Sequence, residues 1–166
     1  MGSSVVVCPV RASGWVRGVI HMAAISALAI FAGPALAQPT AQQVADRAIA
    51  EIQTATQNAS AALEAGKTRA VAEIERLDLA GAPDRRIVNF GQAAVEALQR
   101  MGQAGRGRIE TIARNAVVAL HRLNAPQELI DNVLRAAQEG RQAITQAQQR
   151  SVNQVRAAVA EAIGPP

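Results

Sequence analysis

His121 is the one histidine after residue 37, and residue type alone makes it the first candidate for chemistry. A zinc or transition-metal site needs further thiolate or imidazole ligands at close spacing. No cysteine and no second histidine follows residue 37, so no metal site is expected. A hydrolytic set needs a nucleophile, a base and a carboxylate converging on one point. Ser60 and Ser151 are nucleophiles only by elimination, since both stand in helical pattern beside alanine and glutamine. Glu73 and Asp78 are spaced five apart and do not share a helix face. The run Gly102-x-x-Gly105-x-Gly107 reverses the glycine order of a dinucleotide fingerprint, follows no strand and lacks a lysine-serine end. Arg100, Arg106 and Arg108 flank it, and they are the candidates for contact with an anion or a partner. Asn58-Ala59-Ser60 fits a glycosylation acceptor but falls in the middle of a helical pattern. We expect no catalytic residue, no cofactor and no metal, hence a non-enzymatic protein.

The elements that carry these residues are set by helix breakers at regular places. Gln38-Pro39-Thr40, Gly81-Ala82-Pro83, Asn124-Ala125-Pro126 and Gly164-Pro165-Pro166 divide the chain after residue 37 into three units. Proline suits the first turn of a helix, where its missing N–H has no partner to lose. Thr40 with Gln43 reads as a capping box, and Gly81 and Gly164 as C-terminal glycines. Helices are expected over about 40–80, 84–123 and 127–163.

Each unit carries an apolar stripe in steps of three and four. The first stripe includes Ala45, Ile49, Ile52, Thr56, Leu63, Ile74 and Leu77. The second includes Ile87, Phe90, Leu98, Met101, Gly105, Ile109, Ile112 and Leu123, at a mean step near 3.6 that predicts a nearly straight rod. The third includes Ile130, Val133, Ala137, Ile144, Val152, Val155 and Val159, with Gln148 as a polar gap.

The second and third units also resemble each other at an offset of about 43 residues. That offset brings Ala82-Pro83 onto Ala125-Pro126, Ile87 onto Ile130 and Ala93-Ala94 onto Ala136-Ala137. Opposite charges four apart, such as Arg47 and Glu51, Arg69 and Glu73, Glu96 and Arg100, and Glu110 and Arg114, lie on the outer faces.

The predicted fold is therefore all-α. It is an elongated antiparallel three-helix bundle, coiled-coil-like and rich in alanine, built from a repeat of about 43 residues. The glycines at 102, 105 and 107 read as a kink or a close-packing patch within one continuous helix. The alternative is a loop that divides the second unit and makes four helices.

Residues 1–37 read as a signal peptide. Arg11 and Arg17 precede an apolar core from Val19 to Phe31, Gly33-Pro34 breaks it, and Ala35-Leu36-Ala37 offers a cleavage site before Gln38. The alternative is an uncleaved helix that anchors the chain in a membrane. The destination is secreted or periplasmic.

Of the formal charge of +4, the two signal arginines account for half. The near-balanced remainder gives little steering toward nucleic acid, and the chain after residue 37 has no tryptophan or tyrosine to stack on bases. No nucleic-acid partner and no small-molecule substrate are expected. Bulky apolar residues make up roughly a fifth of this region, close to the lower limit for a packed core. Long alanine-lined helices can still pack closely. We expect a structural or interaction role, scaffold or chaperone-like, through a protein partner or self-association. Reversible binding of amphipathic helices to lipid or another apolar surface is the alternative.

Overall fold

The computed structural model describes residues 39–164. Three helices account for nearly all of them: α1 (Ala41–Leu79), α2 (Asp84–Arg122) and α3 (Gln127–Ile163). The described residues form one compact unit. The expected cleavage residues Ala35, Ala37 and Gln38 lie outside the described residues. Each helix is about 60 Å long at about 1.5 Å per residue.

The capping box forms at the start of α1. Thr40 Oγ1 accepts from the Gln43 backbone N–H at 3.2 Å, and Gln43 Oε1 accepts from the Thr40 N–H at 3.0 Å. The prolines sit one step earlier than the first helical turn. Pro83 and Pro126 are themselves the N-caps of α2 and α3, with ψ of 140° and 142°. Extended ψ at the residue before the helix suits proline, whose fixed φ then leads directly into the first turn.

The two turns between helices are built alike. After α1, the Gly81 N–H donates to the Asp78 carbonyl at 2.8 Å and the Ala82 N–H to the Leu77 carbonyl at 3.0 Å. After α2, Asn124 donates to His121 at 3.1 Å and Ala125 to Leu120 at 3.0 Å. Both are Schellman closures, which require a left-handed residue. Gly81 fills that place at φ +64° and Asn124 at φ +49°.

The core follows a period of eleven, or three helical turns. Ile52, Leu63 and Ile74 in α1, Ile87, Leu98, Ile109 and Leu120 in α2, and Val133, Ile144 and Val155 in α3 are each spaced by eleven and are all fully buried. Eleven residues over three turns make about 3.67 per turn, so the apolar face runs almost parallel to the axis with a slight right-handed lean. Between the large residues, small ones close the gap: Gly91, Gly102 and Ala113 in α2, and Ala137 and Gly140 in α3, are all buried. Several bulky stripe members expected to be central, namely Ile49, Phe90, Met101, Ile112 and Val159, are instead half-buried and flank the core. At the offset of about 43, Ile87 falls on Ile130 and Ile109 on Val152, all four buried, whereas Leu98 falls on the exposed Arg141.

The helix runs unbroken through Gly102–Gly107. A Cβ on Gly102 would stand 2.0 Å from Gln148 Oε1, and one on Gly105 would stand 2.8 Å from the Ala59 Cβ. These two glycines are close-packing positions. Gly107 meets nothing within 4 Å.

Every helix packs against both of the others. Gly66 lies beside Leu98, and Gly105 beside Ala59, so α1 and α2 are antiparallel. Gly91 lies beside Val159 and Gly102 beside Gln148, which makes α2 and α3 antiparallel as well. The end of α1, the start of α2 and the end of α3 therefore share one pole of the bundle.

Candidate functional site

Helix geometry distributes the three candidate arginines over different faces. Arg106 stands on the flank of α2 that meets α3, and its Nη1 donates to Gln148 Oε1 at 2.7 Å. Arg100 and Arg108 are exposed. At about 100° per residue they lie roughly 120° and 160° around the helix from Arg106. The three do not converge on one anion. Gln148, the polar gap in the third stripe, occupies a core-facing place opposite Gly102. The missing Cβ of Gly102 makes room for the amide, and Arg106 satisfies its oxygen at the half-buried edge. No buried side-chain nitrogen or oxygen among the described residues lacks a hydrogen-bond partner.

The other chemistry-bearing residues are also kept apart. His121 is exposed in the last turn of α2, where a cation is favoured by the helix dipole. Ser151 is buried at 2% exposure, in the layer of small residues. Antiparallel packing puts it level with about residue 99 of α2, so roughly 30 Å of helix axis separates it from His121. Ser60 is half-buried and lies at mid-height. Asn58 is exposed within α1. Among the described residues no group of three or more His, Cys, Asp or Glu side chains could hold a metal ion.

The surface charges pair only in part as their spacing suggests. Arg47–Glu51 closes at 2.9 Å and Arg114–Glu110 at 3.0 Å. Glu73 turns to Arg76 at 2.6 Å and not to Arg69. The bidentate hydrogen bond from Arg76 holds the Glu73 carboxyl below its ordinary range against the opposing effect of burial, and the charges of Arg76 and Arg86 add to the lowering. Arg100 makes no ion pair among the described residues.

An extended concavity that combines apolar and charged groups runs between α1 and α3, near the pole where α1 ends. It is an open groove of about 710 Å³. Its floor is small and apolar, with Val71, Ala72, Ala157 and Ala158, and Leu79 closes one end at 89% exposure. Glu75 and Asp78 stand on the α1 side and Glu161 on the α3 side. None of these three carboxylates makes an ion pair among the described residues, whereas Lys67, the one cation of the lining, is held by Glu64. The groove arises because alanine beside the core ladder cannot fill the space between two parallel rods. Its sequence signal is a pair of alanines next to the stripe in α3, Ala157-Ala158, with unpaired acids one turn away. A search for bulky stripes passes over that signal.

The groove sets three carboxylates around an apolar floor between two parallel helices. No helix among the described residues is long and apolar enough to cross a membrane. No family model matches the chain, and no curated protein or solved structure matches it either.

Proposed function

We propose that this chain is an exported, non-enzymatic interaction protein, a helical scaffold that engages a protein partner through the faces its bundle leaves open. The observation that carries this reading is the α1–α3 groove, with its alanine floor, exposed Leu79 and three unpaired carboxylates. Small residues allow a helix to approach closely, and free charge at the rim selects its partner. Export rests on the pattern of residues 1–37. The proposed location is secreted or periplasmic.

Two measurements test the reading. N-terminal sequencing of the protein recovered from the periplasm or medium should begin at Gln38; recovery of an intact Met1 form from the membrane fraction selects the anchored alternative. A photo-crosslinking residue at Ala158 should give a discrete protein adduct in intact cells, identified by mass and lost when Asp78 is changed to arginine. An absence of any adduct removes the interaction role.

Binding to a lipid surface is less well supported. The three stripes face one another in the core, and only Leu79, Val118, Leu134 and Ile163 remain as exposed large apolar side chains among the described residues. Co-sedimentation with anionic vesicles at low salt tests it directly, with no binding expected.

A further inference from the structure

We propose that the occupant of the α1–α3 groove is the outer face of α2 from a second copy of the same chain, so that copies associate head to tail. This rests on the interaction role above and names the partner for it.

The first observation is Gly107. Unlike Gly102 and Gly105, it faces open space, and none of the described residues needs its missing Cβ. Glycine weakens a helix interior. It stands in an exposed row, Arg100, Ala104, Gly107, Thr111, Arg114 and Val118, in alternating steps of four and three, with Arg114 held by Glu110. That spacing makes a second seam on α2, turned away from the bundle core. Val118 is one of the few large apolar side chains left exposed among the described residues. Thr111 is kept from projecting freely, because its Oγ1 donates back to the Gly107 carbonyl at 2.9 Å.

The second observation is charge. α2 has Asp84, Glu96 and Glu110 against seven arginines, and Arg100 and Arg108 on or beside the seam have no ion pair among the described residues. The groove offers the opposite: Glu75, Asp78 and Glu161, also without ion pairs there. A seam of small residues with arginines alongside fits a floor of small residues with carboxylates alongside, in both shape and sign.

The third is that donor seam and acceptor groove are separate surfaces. A copy docked in the groove keeps its own groove free, which makes the contact heterologous and able to propagate or close into a ring. The groove from Lys67 to Leu79 is about 18 Å long, so a single contact falls short of the roughly 800 Å² per partner of a stable complex. The association is therefore weak, concentration-dependent and screened by salt.

Sedimentation velocity of the purified protein, from about 10 µM to about 500 µM at about 50 mM salt, should show the mean mass rising with concentration and falling back at about 500 mM salt. Gly107→Leu should block the seam, and Asp78→Arg with Glu161→Arg should block the groove. Each should weaken association at least about tenfold, in line with loss of a central contact. Because nothing lies near Gly107, Gly107→Leu should also melt at a higher temperature, which separates lost association from lost folding. An equal mixture of the two blocked proteins should form pairs and nothing larger, since one intact seam and one intact groove remain. A monomer across the whole range overturns the proposal, as does unchanged association of both variants. If the protein is monomeric yet Ala158 still crosslinks to another protein in cells, the interaction role stands and self-association alone is lost.

Discussion

Gly107 and Gly140 are the same residue type in the interior of long helices, and their surroundings give them opposite signs. A Cβ on Gly140 would lie 2.5 Å from Thr56 Oγ1 and 3.0 Å from Ile109 Cδ1. Thr56 cannot simply move aside, because its hydroxyl donates to the Ile52 carbonyl at 2.8 Å. Gly140→Ala should therefore destabilise by about 1–3 kcal/mol, the range for overpacking a filled interior. Gly107→Ala should stabilise by about 1 kcal/mol, the helix-propensity difference alone. Urea midpoints followed by circular dichroism compare the two, and equal signs would overturn the contrast between an open Gly107 and an enclosed Gly140. A second residue-scale test concerns Glu73. Its carboxyl titrates below the ordinary range chiefly because Arg76 donates to it. A group with a lowered folded-state value adds stability above the ordinary glutamate range and loses it as pH falls through the folded value. Glu73→Gln should thus lower the melting temperature slightly at pH near 7 and leave it unchanged well below the carboxylate range. The effect is small because the pair is solvated.

At the scale of the elements, the two left-handed turn residues make a matched pair. Gly81 holds φ +64° without strain, whereas Asn124 carries a side chain at φ +49°. Asn124→Gly should stabilise by up to about 1 kcal/mol, and Gly81→Ala should destabilise by about the same amount, because only glycine visits this region freely. Thermal melts of the two single variants decide it. The Ala-Pro boundaries made these turns legible in the sequence, and they set the three helices to within a residue or so. The core was less legible. A search for bulky residues in steps of three and four selects Phe90, Met101 and Ile112, which flank the centre, and passes over Gly91, Gly102, Gly140 and Ser151, which are buried. The reason is physical. In an alanine-rich bundle the rods approach until small residues interlock, so burial follows the ladder of eleven and not side-chain volume. For the same reason Arg106, grouped with Arg100 and Arg108 by proximity along the chain, is taken by Gln148 across the seam. Nothing local to Arg106 announces a partner on the next helix. The α1–α3 groove was illegible for a related cause, since it is a property of two distant segments held parallel.

The whole molecule stands on three helices that each touch the other two, with no pair able to close a core alone. Ile109 shows why. It is fully buried in α2, and its Cδ1 lies near Gly140 of α3, while Gly105, one turn before it, packs on Ala59 of α1. Ile109→Ala should cost about 2–5 kcal/mol, the range for a large aliphatic residue truncated in a filled interior. In a bundle whose ladders are shared by all three helices, that cost should fall on the entire fold. The loss at 222 nm should then remain one sharp transition at a lower temperature, and amide protection in α1, α2 and α3 should decline together. If the helices were independent rods, protection would drop in α2 and its neighbours near Ile109 and persist at both ends of α1. The same dependence predicts the fate of a chain ended after Asn124. It would keep the cap of α1 and the α1–α2 turn, yet leave Ile52, Leu63, Ile87 and Leu98 open along one side. Such a hairpin has lost the cover of α3 over its full length, so it should be largely unfolded or aggregated in water. A helical, monomeric hairpin of that length would mean that α3 is an attachment to the fold and not a third of its core.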